Sequence, residues 1–377
     1  MRILHVSQPV DAGVAVVAEA LCRDQRDRGW DVTLACPPGP LADRADAAGV
    51  RVRTWNASRG PGPSVLAESR SLARIVREQD PDVVHLHSSK AGLAGRLAIR
   101  GRRPTVFQPH AWSFDAVDGP VAAAARNWER LGARWTHRLL CVSDAERDAG
   151  RAAGVGGDTV VVPNGVDTDR FTPAPPAPAR AALGLGDGPV VLCAGRLALQ
   201  KGQDLLLDAW GAVRAAVPDA TLVLLGDGPE AERWRAAHPD PSVLWRGSVE
   251  DPAPYYAAAD VLALPSRWEG MPLVALEALA SGRPVVGFDV TGVREAVGDA
   301  GAVVAPGDTT ALAAALVARL DPSGPGAAEG TAGRERAQQF FDRRRSADAV
   351  AELVSRMHDH AVARPAGSEV NGRSGTR

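Results

Sequence analysis

Thirteen short apolar runs recur along this chain, and most are separated by segments of helical period. The series reads Ile3–Ser7, Asp31–Cys36, Val50–Thr54, Val83–His87, Thr105–Pro109, Arg138–Val142 and Val160–Pro163, then Val190–Ala194, Thr221–Gly226, Ser242–Arg246, Val261–Pro265, Pro284–Phe288 and Ala302–Ala305. Helical period marks Val14–Arg28, Pro63–Glu78 and Gln203–Val217. Strands alternating with helices build a parallel sheet covered on both faces. The alternation breaks once, at Thr172–Ala179, TPAPPAPA, which can continue neither a helix nor a central strand. Two α/β domains in tandem follow, and 377 residues suit two domains of roughly 100–200 each. The expected division is a first domain over 1–168, a Pro-rich linker over 169–187 and a second domain over 188–340. A closing helix over 341–362 and a disordered Gly-rich, polar tail over 363–377 complete it.

Composition removes several function classes. A formal net charge of −2 gives no reason to expect nucleic acid. MRILHVS is too short an apolar run for a signal peptide and is expected as a strand, and no stretch of 18 apolar residues can span a bilayer. Cys22, Cys36, Cys141 and Cys193 are scattered and form no C-x-x-C pair, which fits a reducing compartment without disulfides or a zinc knuckle. A cytoplasmic protein is expected. Yet residues 51–103 carry eleven Arg or Lys against four Asp or Glu, and Arg126, Arg130 and Arg134 repeat every four residues. Such a row is either the solvated side of a sheet-covering helix or a face that leans on anionic lipid at the inner membrane surface.

In open α/β sheets ligands sit beyond the carboxyl ends of the strands. Past the strand Val190–Ala194 comes Gly195-Arg196-Leu197-Ala198-Leu199-Gln200-Lys201-Gly202. Two cations there suit a diphosphate leaving group, although two basic residues on a loop can equally be a solvated pair. Only two lysines occur among 43 basic residues, Lys90 and Lys201, so the point charge at 201 stands out. Past Val261–Pro265 comes Ser266-Arg267-Trp268-Glu269-Gly270-Met271-Pro272-Leu273-Val274, and a helix is expected from about Pro272. The free amides of Leu273 and Val274 then offer an anion site. Glu277, one turn deeper on the same face, can accept two hydrogen bonds from a ribose diol, and Glu269 sits on the other side, where a sugar ring fits.

Glu269 and Glu277, with seven residues between them, resemble the E-x7-E signature of retaining GT-B glycosyltransferases of the family 4 type. The Gly195–Gly202 run resembles that family's G-R-L-x-x-x-K-G loop. Val162-Pro163-Asn164-Gly165-Val166-Asp167 resembles its domain junction. Asp82-Val83-Val84-His85-Leu86-His87, Pro109-His110 and Val142-Ser143 resemble its first-domain strands. The resemblance implies two Rossmann-like domains facing a central cleft, the first for the acceptor and the second for a nucleotide-sugar donor, with the C-terminal helix returning to the first. It implies that Arg196 and Lys201 hold the diphosphate with the amides of Leu273 and Val274. Glu277 would hold the ribose and Glu269 the sugar hydroxyls. Gly195, Gly270, Met271, Pro272 and, near the base, Val249 would line the donor site. Gly13 would let the first-domain backbone approach, although this chain has Ala12 where the family often has a second glycine. His110 would lie near the reacting sugar, and catalysis is expected from His110, Glu269, Arg196 and Lys201. No metal or other cofactor is expected, because the two cations and the helix end take that role.

Several residues read more plainly. Ser143-Asp144-Ala145-Glu146 is a capping box. The triplets Asp80-Pro81-Asp82 and Asp167-Thr168-Asp169 fall where no metal-held diphosphate fits. His85 and His87 share a strand face, but no third zinc ligand stands nearby in sequence. Lys90 and Trp112 are candidates for the acceptor, which is expected to be a lipid-linked saccharide or, alternatively, a small soluble alcohol. A dehydrogenase would need G-x-G-x-x-G after the first strand, where SQPVDAGVAV stands. A phosphorylase would need a lysine for its cofactor. A sugar-nucleotide epimerase and a non-catalytic nucleotide-sugar-binding protein of the same architecture are the nearer rivals.

Overall fold

The computed structural model describes residues 1–60 and 62–363. Its strands form two wholly parallel sheets. Arg2–Ser7 (β1), Asp31–Cys36 (β2), Arg51–Thr54 (β3), Val83–His87 (β4), Thr105–Gln108 (β5), Arg138–Cys141 (β6) and Thr159–Val161 (β7) make the first, in the order β3-β2-β1-β4-β5-β6-β7. Val190–Ala194 (β8), Thr221–Leu225 (β9), Val243–Gly247 (β10), Val261–Leu264 (β11), Val285–Phe288 (β12) and Gly301–Val304 (β13) make the second, in the order β10-β9-β8-β11-β12-β13. In each sheet the order turns back at the first strand. The switch points therefore lie between β1 and β4 and between β8 and β11, where open α/β sheets leave a crevice. Every residue of β4 and β11 is buried, as expected of central parallel strands covered on both faces.

The Pro-rich segment is no loose linker. A helix forms over Pro176–Leu183, with prolines at its first and third positions, where the missing N–H groups forfeit no bond. Arg180 of that helix reaches the carbonyl of Ala258 at 2.9 Å, and Phe171 packs edge-on against Tyr256. The chain crosses back beside this connection. Val166 donates to the carbonyl of Phe341 at 2.7 Å, and Arg343 donates to that of Val166 at 2.9 Å. The final helix, Arg343–Ala363, then buries Val350, Leu353, Val354 and Met357 among Ile3, Leu21 and Val83 of the first domain. Asp167 and Asp169 pair with Arg343 and Arg344 of that helix, which explains the second acidic triplet. Asp80, from the first triplet, pairs with Arg2 and Arg103. The expected disordered tail falls, after Ala363, outside the described residues. No helix among the described residues is long and apolar enough to cross a membrane.

Candidate active site

The carboxyl ends of both sheets face one cleft of about 540 Å³. Gly13 of the first domain lines it, with Gly195, Arg196, Lys201, Val249, Pro272, Leu273, Val274 and Glu277 of the second. The helix Leu273–Ala280 begins at the cleft with Pro272 as its N-cap. Proline has no side chain that can cap, and among the described residues the amides of Leu273 and Val274 donate to no acceptor of the chain. Two open donors and the positive end of the helix dipole thus point to one place. Arg196 faces the same space and makes no ion pair among the described residues. Burial and the neighbouring Arg59 hold its pKa below the ordinary guanidinium range. An unpaired, partly desolvated cation beside open amides is a site for an anion.

The Lys201 loop is locked against the end of β11. Gly202 has φ +66°, and a Cβ there would lie 1.9 Å from the carbonyl oxygen of Pro265, so only glycine fits. Lys201 Nζ meets Glu269 Oε1 at 2.6 Å, and Ser266 Oγ donates to the same oxygen at 2.7 Å. The sequence assigns Lys201 to phosphate and Glu269 to sugar; the fold joins them as a pair. Glu269 Oε2 makes no hydrogen bond among the described residues, but Glu269 is buried and, unlike Lys201, does not line the cleft. Glu277 accepts a 2.6 Å hydrogen bond from the buried hydroxyl of Tyr256, which also lines the cleft. Desolvation pushes the Glu277 carboxyl up to about 7, against the opposing pull of that hydrogen bond. Tyr256, inside the short helix Ala253–Ala258, carries no sequence signal; only the return of the chain beside β8 brings it to Glu277.

Gly270 and Met271 stand differently from expectation. They are absent from the cleft wall, and their carbonyls accept bonds from the first domain, from Ser143 Oγ at 3.1 Å and Asn164 Nδ2 at 2.9 Å. Ser143 therefore does more than cap its helix through the amide of Glu146. A Cβ on Gly270 would lie 2.8 Å from the backbone of His110, so His110 is pressed against the acidic loop without reaching the cleft wall. His110 and Ala111 have φ of +59° and +141°, backbone geometry at positive φ that is uncommon for non-glycine residues. Ala12, at the family's glycine position, also lies there, at φ +58°.

Of the two acceptor candidates, Trp112 needs correction and Lys90 is narrowed to a lining role. Trp112 is 1% exposed, stacks on Phe114 and donates its ring N–H to the carbonyl of Glu146 at 2.7 Å; it is core and lines neither the cleft nor the neighbouring groove. Lys90 is buried and neutralised by Glu68 at 2.6 Å, with a further bond to the carbonyl of Gly60, so its charge is spent inside the domain, although its stem lines a neighbouring groove. The histidine pair has a third member that spacing did not show. His5 stands beside His85 on the adjacent strand, and ligand atoms of His5, His85 and His87 lie within 4.8 Å of one another.

Residues 188–321 match the family model described as glycosyl transferases group 1, and residues 12–170 match the one described as glycosyltransferase family 4. Over 353 residues, 87% of this chain and 91% of its relative, the sequence is 34% identical to the GDP-mannose-dependent alpha-(1-6)-phosphatidylinositol monomannoside mannosyltransferase of Mycolicibacterium smegmatis. The chain belongs to glycosyltransferase family 4. The UDP-Gal:alpha-D-GlcNAc-diphosphoundecaprenol alpha-1,3-galactosyltransferase of Escherichia coli is 29% identical over 78% of this chain and 80% of its own. The D-inositol 3-phosphate glycosyltransferase of Kineococcus radiotolerans is 35% identical over 70% and 69%. Among solved structures, Anabaena Alr3699/HepE in complex with UDP and glucose superposes with a TM-score of 0.81 at 24% identity, covering 94% of this chain and 99% of that one. This family 4 glycosyltransferase thus has the GT-B architecture of two Rossmann-like domains that its sequence motifs imply.

Proposed function

We propose that this glycosyltransferase moves a hexose, with retention of configuration, from a nucleotide diphosphate sugar to a lipid-linked acceptor. One observation carries the donor assignment: unpaired Arg196, the open amides of Leu273 and Val274, and Glu277 converge on one cleft. The diphosphate lies against Arg196 and the helix end, the ribose diol donates to Glu277, and a sugar hydroxyl donates to Glu269 Oε2. As the anomeric C–O bond breaks, its electron pair passes to the β-phosphate oxygen. The acceptor oxygen attacks from the same face, and its proton passes to that departing phosphate. Arg196, Lys201 and the helix dipole stabilise the charge that develops, so the residues present supply what a metal would. His110 packs against the acidic loop outside the cleft wall, and its contact with the sugar follows on closure of the domains over the donor.

The acceptor assignment rests on a second cavity of about 330 Å³, walled by Leu93, Val121, Ala125 and Trp128, with Arg59 at its edge. Arg59, which lines this groove, and Arg196, which lines the cleft, put a cation in each cavity. An apolar wall with a cation at its edge suits an acyl or polyprenyl chain that ends in a phosphate. The relatives above that act on phosphatidylinositol mannoside and diphosphoundecaprenol fit this chemistry. Arg126, Arg130 and Arg134 form an exposed row along the adjoining helix Gly119–Ala133 and its C-cap, which suits anionic lipid, while exposed Val121 and Leu131 lie on other sides of that helix. The test is turnover with UDP-, GDP- and ADP-hexoses on phosphatidylinositol mannoside, polyprenyl diphosphate saccharide and inositol phosphate acceptors, reading the product's anomeric configuration by NMR. Transfer to a lipid acceptor with retention supports the reading. Inversion sinks the mechanism, and turnover confined to inositol phosphate sinks the lipid acceptor.

A further inference from the structure

Behind the acidic loop, four polar side chains cross the first domain in single file. Gln25, on the helix Ala12–Asp27, faces His5 of β1, with Gln25 Oε1 and His5 Nε2 2.7 Å apart. His5 Nδ1 lies 2.9 Å from His87 Nε2 on β4. His87 Nδ1 lies 3.3 Å from His110 Nε2, just past β5. Gln25, His5 and His87 are completely buried. Such a row has no packing rationale that leucine would not meet better, since buried polar groups stabilise little even when paired. Desolvation keeps the rings neutral, holding His5 at about 4 and His110 at about 3.

A neutral imidazole carries one proton, so a chain of them has only two arrangements, both collective. If Gln25 presents its carbonyl, His5 Nε2–H donates to it, His87 Nε2–H donates to His5 Nδ1, and His110 Nε2–H donates to His87 Nδ1. The remaining nitrogen, His110 Nδ1, is then a bare lone pair. If Gln25 presents its amide, every bond reverses and His110 Nδ1 carries the proton. His110 Nδ1 has no partner among the described residues and is not sealed from solvent. It is the end of the row that is not closed by a partner among the described residues.

We propose that Gln25, His5 and His87 are positioning residues: the Gln25 carbonyl orients this row of rings so that His110 presents an acceptor, not a donor, to a sugar hydroxyl. The catalytic part rests on the place given to His110 above; the tautomer part does not. The experiment is 15N NMR of the histidine-labelled full chain at neutral pH. The expected result is a single Nε2–H tautomer at His5, His87 and His110, with through-hydrogen-bond 15N–15N couplings along the row. Gln25→Leu removes the orienting carbonyl, so His110 then gains an Nδ1–H population, and kcat falls about tenfold or more with the donor KM within twofold. An Nδ1–H tautomer at His110 in the unsubstituted protein overturns the proposal. So do absent couplings, an unchanged His110 tautomer in a folded Gln25→Leu protein, or stoichiometric zinc on purification, because a metal takes the lone pairs the row needs. A tautomer shift without any change in turnover upholds the row and removes His110 from catalysis. If Gln25→Leu fails to fold, the tautomers and couplings of the unsubstituted chain still decide.

Discussion

Glu277 shows how a single side chain couples this site to pH. With its carboxyl raised to about 7, the unliganded protein holds a proton there that a ribose diol must displace, since two hydroxyl donors need a carboxylate. Donor binding therefore releases a proton, and affinity climbs as pH rises toward about 7 and levels above it. Calorimetry with a nucleotide sugar, whose diphosphate does not titrate in this range, should show affinity falling up to roughly tenfold per pH unit below 7. Glu277→Gln should flatten that slope and weaken binding at pH 8. The stability linkage has the opposite sense. A carboxyl whose folded pKa lies above its unfolded value contributes stability below the ordinary carboxylate range, and that contribution is lost as pH rises through about 7. Glu277 and Glu269 were legible because their spacing brackets a helix start. Tyr256 was not, because nothing local to 253–258 reveals which carboxylate it will meet. Trp112 misled for the same reason: its place after His110 says nothing of the carbonyl of Glu146, 34 residues on, that ties it into the core.

Elements were easier to read than side chains. Central parallel strands are short apolar runs between turn residues, so β4 and β11 stand out in any window, and the helix Leu273–Ala280 follows from one proline and the apolar run after it. The helix within the Pro-rich segment was not read, because prolines forbid a helix interior but not its first turn. The final helix belongs to the first domain by its packing, and Leu353→Ala should lower stability by about 2–5 kcal/mol, read as a drop in thermal midpoint. Between β11 and its helix, Gly270 permits the close approach of His110. Gly270→Ala places a Cβ 2.8 Å from backbone that cannot yield easily, which should cost about 1–3 kcal/mol. Turnover should fall more than donor affinity, since the loop moves against His110 while the wall at Arg196 is untouched.

At the scale of the molecule, polar contacts hold the two domains together across the cleft. Ser143 and Asn164 bond the carbonyls of Gly270 and Met271, and Glu295 accepts the amides of Asp144 and Ala145 at the start of a first-domain helix. Contacts of this kind break readily, and closure over an activated sugar excludes water. Glu295→Ala should loosen the closed form by about 1 kcal/mol, raise the donor dissociation constant about fivefold and enlarge the radius of gyration by small-angle scattering, without altering any cleft residue. The central claim is that the second domain grips an anionic leaving group with fixed positive charge. Its most direct measurement is a thermal-shift titration with nucleotide diphosphates and their sugars, for the unsubstituted chain and Arg196→Ala. A ligand at 100 times its dissociation constant should add about 2.7 kcal/mol to the former, and Arg196→Ala should weaken binding by about 1.5–3 kcal/mol. Absence of any shift across UDP, GDP and ADP and their sugars, or equal shifts in both proteins, would contradict it.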